Sequence, residues 1–203
     1  RVLDGEEAMT GLAIAYGCMI FTHPPTTLPF SLGLAGYVLT LLAVRKSARR
    51  FVARFLAAIV AGMLLSAIYW VPAVLCQKYI HAEEWWTPHH DFHAWFFPHP
   101  AIAHDDAYAA IFMDHLFDAL GFTVAIFAVC FLNALRRRSL ESMDRLWPCL
   151  TLVAISLFFM ASWSRVVWEI LPVLSKVQFL WRFALLLDVA VAIAASSMMH
   201  GLF

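Results

Sequence analysis

Seven of the nine histidines in this chain of 203 residues fall between His81 and His115, interleaved with Glu83, Glu84, Asp91, Asp105 and Asp106. His89, His90 and His93 form an HHxxH cluster. On one helix His89 and His93 share a face four residues apart, the spacing with which metalloproteases hold zinc. The general base of that chemistry is missing, because His90 stands where HExxH has Glu. Membrane di-iron hydroxylases use several His boxes, and here only His23 and His200 lie outside the region. Pro88 and Pro98 also interrupt a helical pattern. Two readings stand for this stretch: a divalent-metal site on His89, His90 and His93, or an interfacial surface of imidazoles and aromatic rings that needs no cofactor.

A second set of chemically capable residues lies inside or beside apolar runs, where a charge is expensive and is a functional candidate by default. These are Asp118, Arg182, Asp188 and His200. Arg182 sits about a turn inside the start of the last apolar run. Its planar fork suits a substrate phosphate, and its length equally suits an anchor that snorkels to the headgroup level. Asp188 follows at roughly 240° round and about 9 Å along an ideal helix, so it needs a partner on another helix or a wet cavity. Arg165 and Glu169 are four residues apart and Pro172 follows. That pattern predicts a short re-entrant or interfacial helix and then a turn, or else an ordinary surface ion pair. His23-Pro24-Pro25 reads as a turn between two helices. Cys18, Cys76, Cys130 and Cys149 lack CxxC spacing and read as small buried hydrophobes.

The elements that must position these residues are membrane helices. The chain is 63% hydrophobic and 14% charged, with a mean hydropathy of +0.76, against roughly 25% charged residues in a soluble domain. Six continuous apolar runs predict an all-α, polytopic protein of about six transmembrane helices: 8–22, 28–44, 55–76, 118–135, 147–163 and 179–199. The link after the second run carries Arg45, Lys46, Arg49, Arg50 and Arg54 without an acid. The link after the fourth carries Arg136, Arg137, Arg138 and Arg145 against Glu141 and Asp144. By the positive-inside rule both face the cytoplasm, and 23–27, 77–117 and 164–178 face outward. In the outer loop 77–117, the segment around Ile111, Phe112, Asp114, His115 and Leu116 reads as an interfacial helix leading into the fourth span. The formal net charge is zero, which disfavours a nucleic-acid partner with its need for a clustered basic surface, so membrane lipid, and no nucleic acid, is the expected partner.

Two stretches carry a family likeness. Leu65-Ser66-Ala67-Ile68-Tyr69-Trp70-Val71-Pro72-Ala73 resembles a span end of the bacterial membrane proteins described as "6-pyruvoyl-tetrahydropterin synthase related domain". The segment from Trp168 to Phe183, with Gln178-Phe179-Leu180-Trp181-Arg182, resembles that family's hallmark, which usually ends Gln-Phe-Pro-Trp-Arg. His23 after a short span is also similar. Leu180 departs from the usual Pro, which softens the expected helix break, and Cys76 stands where many members have Glu. The resemblance runs from about Met9 to Ala195 and implies an architecture similar to polytopic glycosyltransferases that use polyprenyl-phosphate-linked sugars at the outer face of the bacterial inner membrane. It implies that residues 1–203 form one transmembrane unit, the C-terminal half of a longer chain whose catalytic acid lies upstream. It assigns the lipid phosphate to Arg182, with Arg165 second, and the lipid head to Gln178 and Trp181. A non-catalytic transport or assembly component and a His-ligated membrane metalloenzyme are the competing expectations.

Overall fold

The computed structural model describes residues 6–44, 49–79, 91–98, 106–137, 140–171, 174, 177 and 179–199. As the continuous apolar runs predict, their regular structure is helical: α1 (Glu6–Thr22), α2 (Pro24–Val44), α3 (Arg49–Leu65), α4 (Ala67–Leu75), α5 (Ala107–Arg137), α6 (Leu140–Met160), α7 (Arg165–Ile170) and α8 (Ala184–Met199). Short 3-10 turns lie at Gln77–Tyr79, Phe92–Trp95, Ser162–Ser164 and Leu180–Phe183. Among the described residues, extended pairing amounts to one bridge, where Phe97 meets Ala161.

By length and composition α2 and α5 can cross a membrane, and α3 with α4 makes a third span if the bent pair is counted as one. That is fewer than the six expected. The apolar parts of α1 (Ala8–Thr22) and α6 (Leu146–Met160) are shorter than the ~20 residues that cross ~30 Å of hydrocarbon. The run expected over 179–199 opens with a 3-10 turn, leaving 16 residues of α-helix.

Three local departures have identifiable causes. The run 55–76 is not one straight span, because the chain bends by 67° between α3 and α4. At the bend Ser66 Oγ donates to Gly62 O at 2.9 Å and the Trp70 indole donates to Met63 O at 2.9 Å. Gly62 O keeps its backbone bond from Ser66 N at 3.1 Å, whereas Met63 O takes the Ser66 hydroxyl at 3.1 Å and the indole, side-chain donors of the kind that accompany helix bends. The expected interfacial helix near 111–116 is instead the first part of α5, which runs unbroken for 31 residues from a cap at Asp106. Asp106 Oδ1 accepts from Tyr108 N at 2.8 Å and Ala109 N at 3.2 Å, the pattern of an N-cap carboxylate. The second helix starts at Pro24, earlier than the apolar run. Pro24 and Pro25 have no N–H to continue the ladder of α1, while a proline at the first helical position costs nothing.

The hairpin prediction at His23 therefore holds, and α1 folds back against α2 and α3. Glycines set the closeness of α1 and α3: a Cβ on Gly62 would lie 2.6 Å from Ala13 O, and one on Gly17 would lie 3.0 Å from Gly62 O. Such small-residue contacts let backbones touch. On the other side α6 packs between α2 and α8, with α5 against α8. The core has two parts. Towards one end Phe127, Cys130, Cys149, Leu187 and Ala190 pack together, and towards the other an aromatic cluster gathers Phe92, Trp95, Phe96, Phe97, Trp168 and Phe183. Leu64, Ile68 and Phe122 are more than two-thirds exposed on the outside, an apolar surface of the kind that lipid or another protein covers.

Candidate functional site

At the aromatic end of the bundle the chain reaches α8 through the 3-10 turn Leu180–Phe183. Successive short-range bonds, Leu174 N to Leu171 O, Val177 N to Leu174 O and Phe179 N to Val177 O, fold it into turns. Leu180 and Phe183 are buried completely and fix the 3-10 turn in the core. The α-helix gives way to this turn at Leu180–Phe183, where burial of Leu180 and Phe183, not a missing N–H, holds it.

This turn delivers Arg182 to a buried position, 8% exposed. Arg182 Nη1 donates to Val177 O, and its guanidinium carbon lies 5.0 Å from the centre of the Phe179 ring and 6.0 Å from that of Trp181. Aromatic faces attract a cation, by about 0.5 to 2 kcal/mol. No described carboxylate stands within ion-pair distance of it. Arg182 Nε and the neighbouring Trp181 Nε1 are both buried without a hydrogen-bond partner. An unsatisfied buried donor costs about 1 to 3 kcal/mol, and two adjacent ones call for an explanation.

Arg182 and Trp181 line a cleft of about 510 Å³, completed by Leu185 of α8 and by Met19, Thr22, His23, Thr26 and Phe30 of the α1–α2 hairpin. The polar groups of the hairpin are ordered. Thr22 Oγ1 donates to Cys18 O at 2.9 Å, and Thr26 Oγ1 lies 2.6 Å from His23 Nδ1. Arg182, Trp181, His23 and Thr26 thus line one opening between apolar side chains, a grouping of donor-bearing residues of the kind that suits an oxyanion. A larger groove of about 810 Å³ between α1 and α3 is lined mainly by Ala, Leu, Ile and Met, with Arg54 and Thr10 as its polar members. It has no comparable convergence of donors.

Arg165 is elsewhere and otherwise engaged. On α7 its Nε donates to Glu169 Oε1 at 2.8 Å, as the i, i+4 spacing predicts. His93 Nε2 lies 3.4 Å from the same oxygen, and His93 Nδ1 lies 2.7 Å from Asp91 Oδ1. Hydrogen bonding to Arg165, and secondarily to His93, holds the Glu169 carboxyl below its ordinary range. Phe92, next to His93, stacks on Trp168 at 5.4 Å, so this polar network sits on top of the aromatic core.

The structure thus brings Arg182 and Trp181 together and leaves Arg165 outside their cleft. Gln178, His89 and His90 lie outside the described residues. Among those described, no three His, Cys, Asp or Glu side chains are placed to hold one metal ion. Asp188 is exposed on α8. His23 and Thr26 are the cleft residues that motif reasoning missed. The available signal was topological: the turn 23–27 and the segment before Arg182 were assigned to the same side of the membrane. Compared with models of known families, with curated proteins and with solved structures, the chain matches none.

Proposed function

We propose that this is a multi-pass protein of the bacterial inner membrane, with about six spans, that binds a polyprenyl-phosphate-linked sugar at its outer end and acts as a glycosyltransferase-like protein. The six crossings are α1, α2, the bent pair α3–α4, α5, α6 and the segment 180–199, with the basic links 45–54 and 136–145 on the cytoplasmic side. The observation that carries the reading is Arg182, a buried cation with an unsatisfied Nε and no described carboxylate, lining a cleft beside the unsatisfied indole of Trp181.

In sugar transfer from such a donor, the acceptor oxygen forms the new bond to the anomeric carbon and the lipid phosphate leaves with the bonding electrons. The acceptor proton passes to a carboxylate acting as base. Negative charge grows on the phosphate as the bond breaks, and a guanidinium already fixed there stabilises it without reorganising. Arg182 fills that role, with Trp181 and Gln178 at the lipid head. Arg165 is not assigned to the phosphate, because Glu169 holds it. The test is binding of a polyprenyl-phosphate sugar to the protein in lipid nanodiscs. Arg182→Ala is expected to weaken it by about ten- to a hundredfold, the equivalent of one or two charge-assisted hydrogen bonds. Unchanged binding rejects the reading.

A further inference from the structure

Resting on that reading, the geometry points to His23 and Thr26 as phosphate ligands that make the cleft a proton-coupled site, selective for the lipid monophosphate released by the reaction over the sugar-linked diester. Three observations lead there. His23 and Thr26 line the same cleft as Arg182 and Trp181. They sit where α1 ends and α2, a helix of 21 residues, begins, so the opposed helix ends offset each other there and the first amide of α2, Thr26 N–H, is already bonded to His23 O. Pro24 and Pro25 remove two of the N–H groups that such an end ordinarily offers, so the side chains must supply the donors.

The His23–Thr26 contact sets how many donors there are. With a neutral imidazole accepting at Nδ1, the Thr26 hydroxyl spends its proton on His23 and only Nε2–H remains. When a proton from water binds Nδ1, that N–H donates to Thr26 Oγ1 and the Thr26 O–H is released. Protonation therefore adds one positive charge and one hydroxyl donor at the same time. The charged group facing His23 across the cleft is Arg182. Leu185 of α8 carries no charge, Tyr69 of α4 meets the hairpin at Phe21 with ring centres 5.8 Å apart, and Tyr16 lower in the hairpin is bonded to Ser31 Oγ at 2.7 Å.

A sugar-linked phosphodiester carries one negative charge and a lipid monophosphate carries up to two. One fixed cation matches the first, and Arg182 with a protonated His23 matches the second. The same match favours the charge that accumulates on the phosphate as the glycosidic bond breaks, the condition for a group to act in the transition state and not only in binding. Met19, Phe30 and Leu185 provide an apolar lining for the first prenyl units.

The experiment compares a short-chain prenyl monophosphate, the corresponding prenyl-phosphate sugar and inorganic phosphate on the whole protein in nanodiscs between pH 5.5 and 8. Wild type is expected to bind the monophosphate more tightly as pH falls from 8 towards the second phosphate pKa of about 6, with uptake of one proton, and to prefer it over the diester by about tenfold in that range, about one charge-assisted hydrogen bond; at pH 5.5, where the ester is mainly a monoanion like the diester, the preference shrinks. His23→Gln removes the pH slope and the preference. Thr26→Val reduces the preference while retaining part of the slope. His23 lies in an exposed turn, and an unchanged thermal midpoint of His23→Gln separates lost ligation from lost folding. If Arg182→Ala abolishes binding while His23→Gln keeps slope and preference, the ligand role of His23 is overturned and the lipid-phosphate reading survives. If Arg182→Ala changes nothing, or inorganic phosphate binds as tightly as the prenyl ester, the lipid-phosphate reading itself falls.

Discussion

Two arginines at the aromatic end of the molecule have opposite surroundings. Arg165 is 59% exposed, paired with Glu169, and linked through it to His93 and Asp91. Arg182 is 8% exposed, lies against Phe179 and Trp181, and has a donor with nothing to bond. A paired surface guanidinium has already spent its directional hydrogen bonds, and solvent screens what remains, so it contributes little to stability or to capture of an anion. A buried guanidinium without a carboxylate keeps its field. Its cost must be offset by the surrounding fold and, on the proposed reading, by a bound anion. The difference separates a residue that ties two surface segments together from a buried one with a donor to spare, although both were legible as cations on the same side.

The largest effect is expected where the two regions share a wall. Trp168 is 1% exposed, stacks on Phe92 beneath the His93 network, and meets Phe183, the neighbour of Arg182, edge-on at 5.8 Å. Trp168→Ala should cost about 3 to 5 kcal/mol of stability and, unlike either arginine change, disturb both regions. Thermal unfolding in detergent and prenyl-phosphate binding should fall together; loss of one alone would show that the regions are independent.

Arg182→Met sharpens the contrast directly. Replacing an unpaired buried cation by an apolar chain of similar length removes a desolvation cost, so the thermal midpoint should hold or rise while phosphate binding falls by about ten- to a hundredfold. A clear drop in the midpoint with binding retained would make Arg182 a structural anchor like Arg165. Phe179→Leu removes one aromatic face from the guanidinium and should weaken binding by about 0.5 to 2 kcal/mol, read by titration calorimetry; the same change should leave the Arg165 cluster untouched.

The smallest effect belongs to Glu169→Gln. The Glu169 carboxyl is held below its ordinary value of 4.5, chiefly by Arg165. A lowered folded value means that the stabilisation is complete above the unfolded value and is lost as pH falls through the folded one. Wild type and variant should therefore differ slightly near neutrality and converge in acid below about pH 4, with added salt narrowing the gap at neutral pH. A large difference that salt does not reduce would show that the pair is buried in the working protein.

Much of this contrast was readable in advance, and its limits are physical. The helices follow from continuous apolar runs, and the His23 turn follows from two prolines that cannot donate. The short α7 follows from Arg165, Glu169 and the proline after them. The bend at Ser66 was not readable, because it depends on where a hydroxyl and an indole find carbonyls and not on any breaker at the bend. The interfacial segment merged into α5 because nothing between Asp106 and Arg137 stops a helix, and interface and span share one periodicity. Arg182 and Trp181 stood out as a charge and an indole at a span start. Their partners His23 and Thr26 did not, since they come from the far end of the chain and only tertiary packing brings them close.

The unbroken length of α5 has a consequence for depth. Its 31 residues reach about 46 Å at 1.5 Å per residue, well beyond the ~30 Å of a hydrocarbon layer. In a bilayer the excess stands clear as a post, and Phe112 and Phe117 on that post meet Trp95 and Phe97, while Phe112 also meets Trp181. The height of the Trp181–Arg182 turn above the membrane centre is then set by a rigid strut of protein. A thinner or thicker bilayer would tilt the strut before it altered what stands around the cleft.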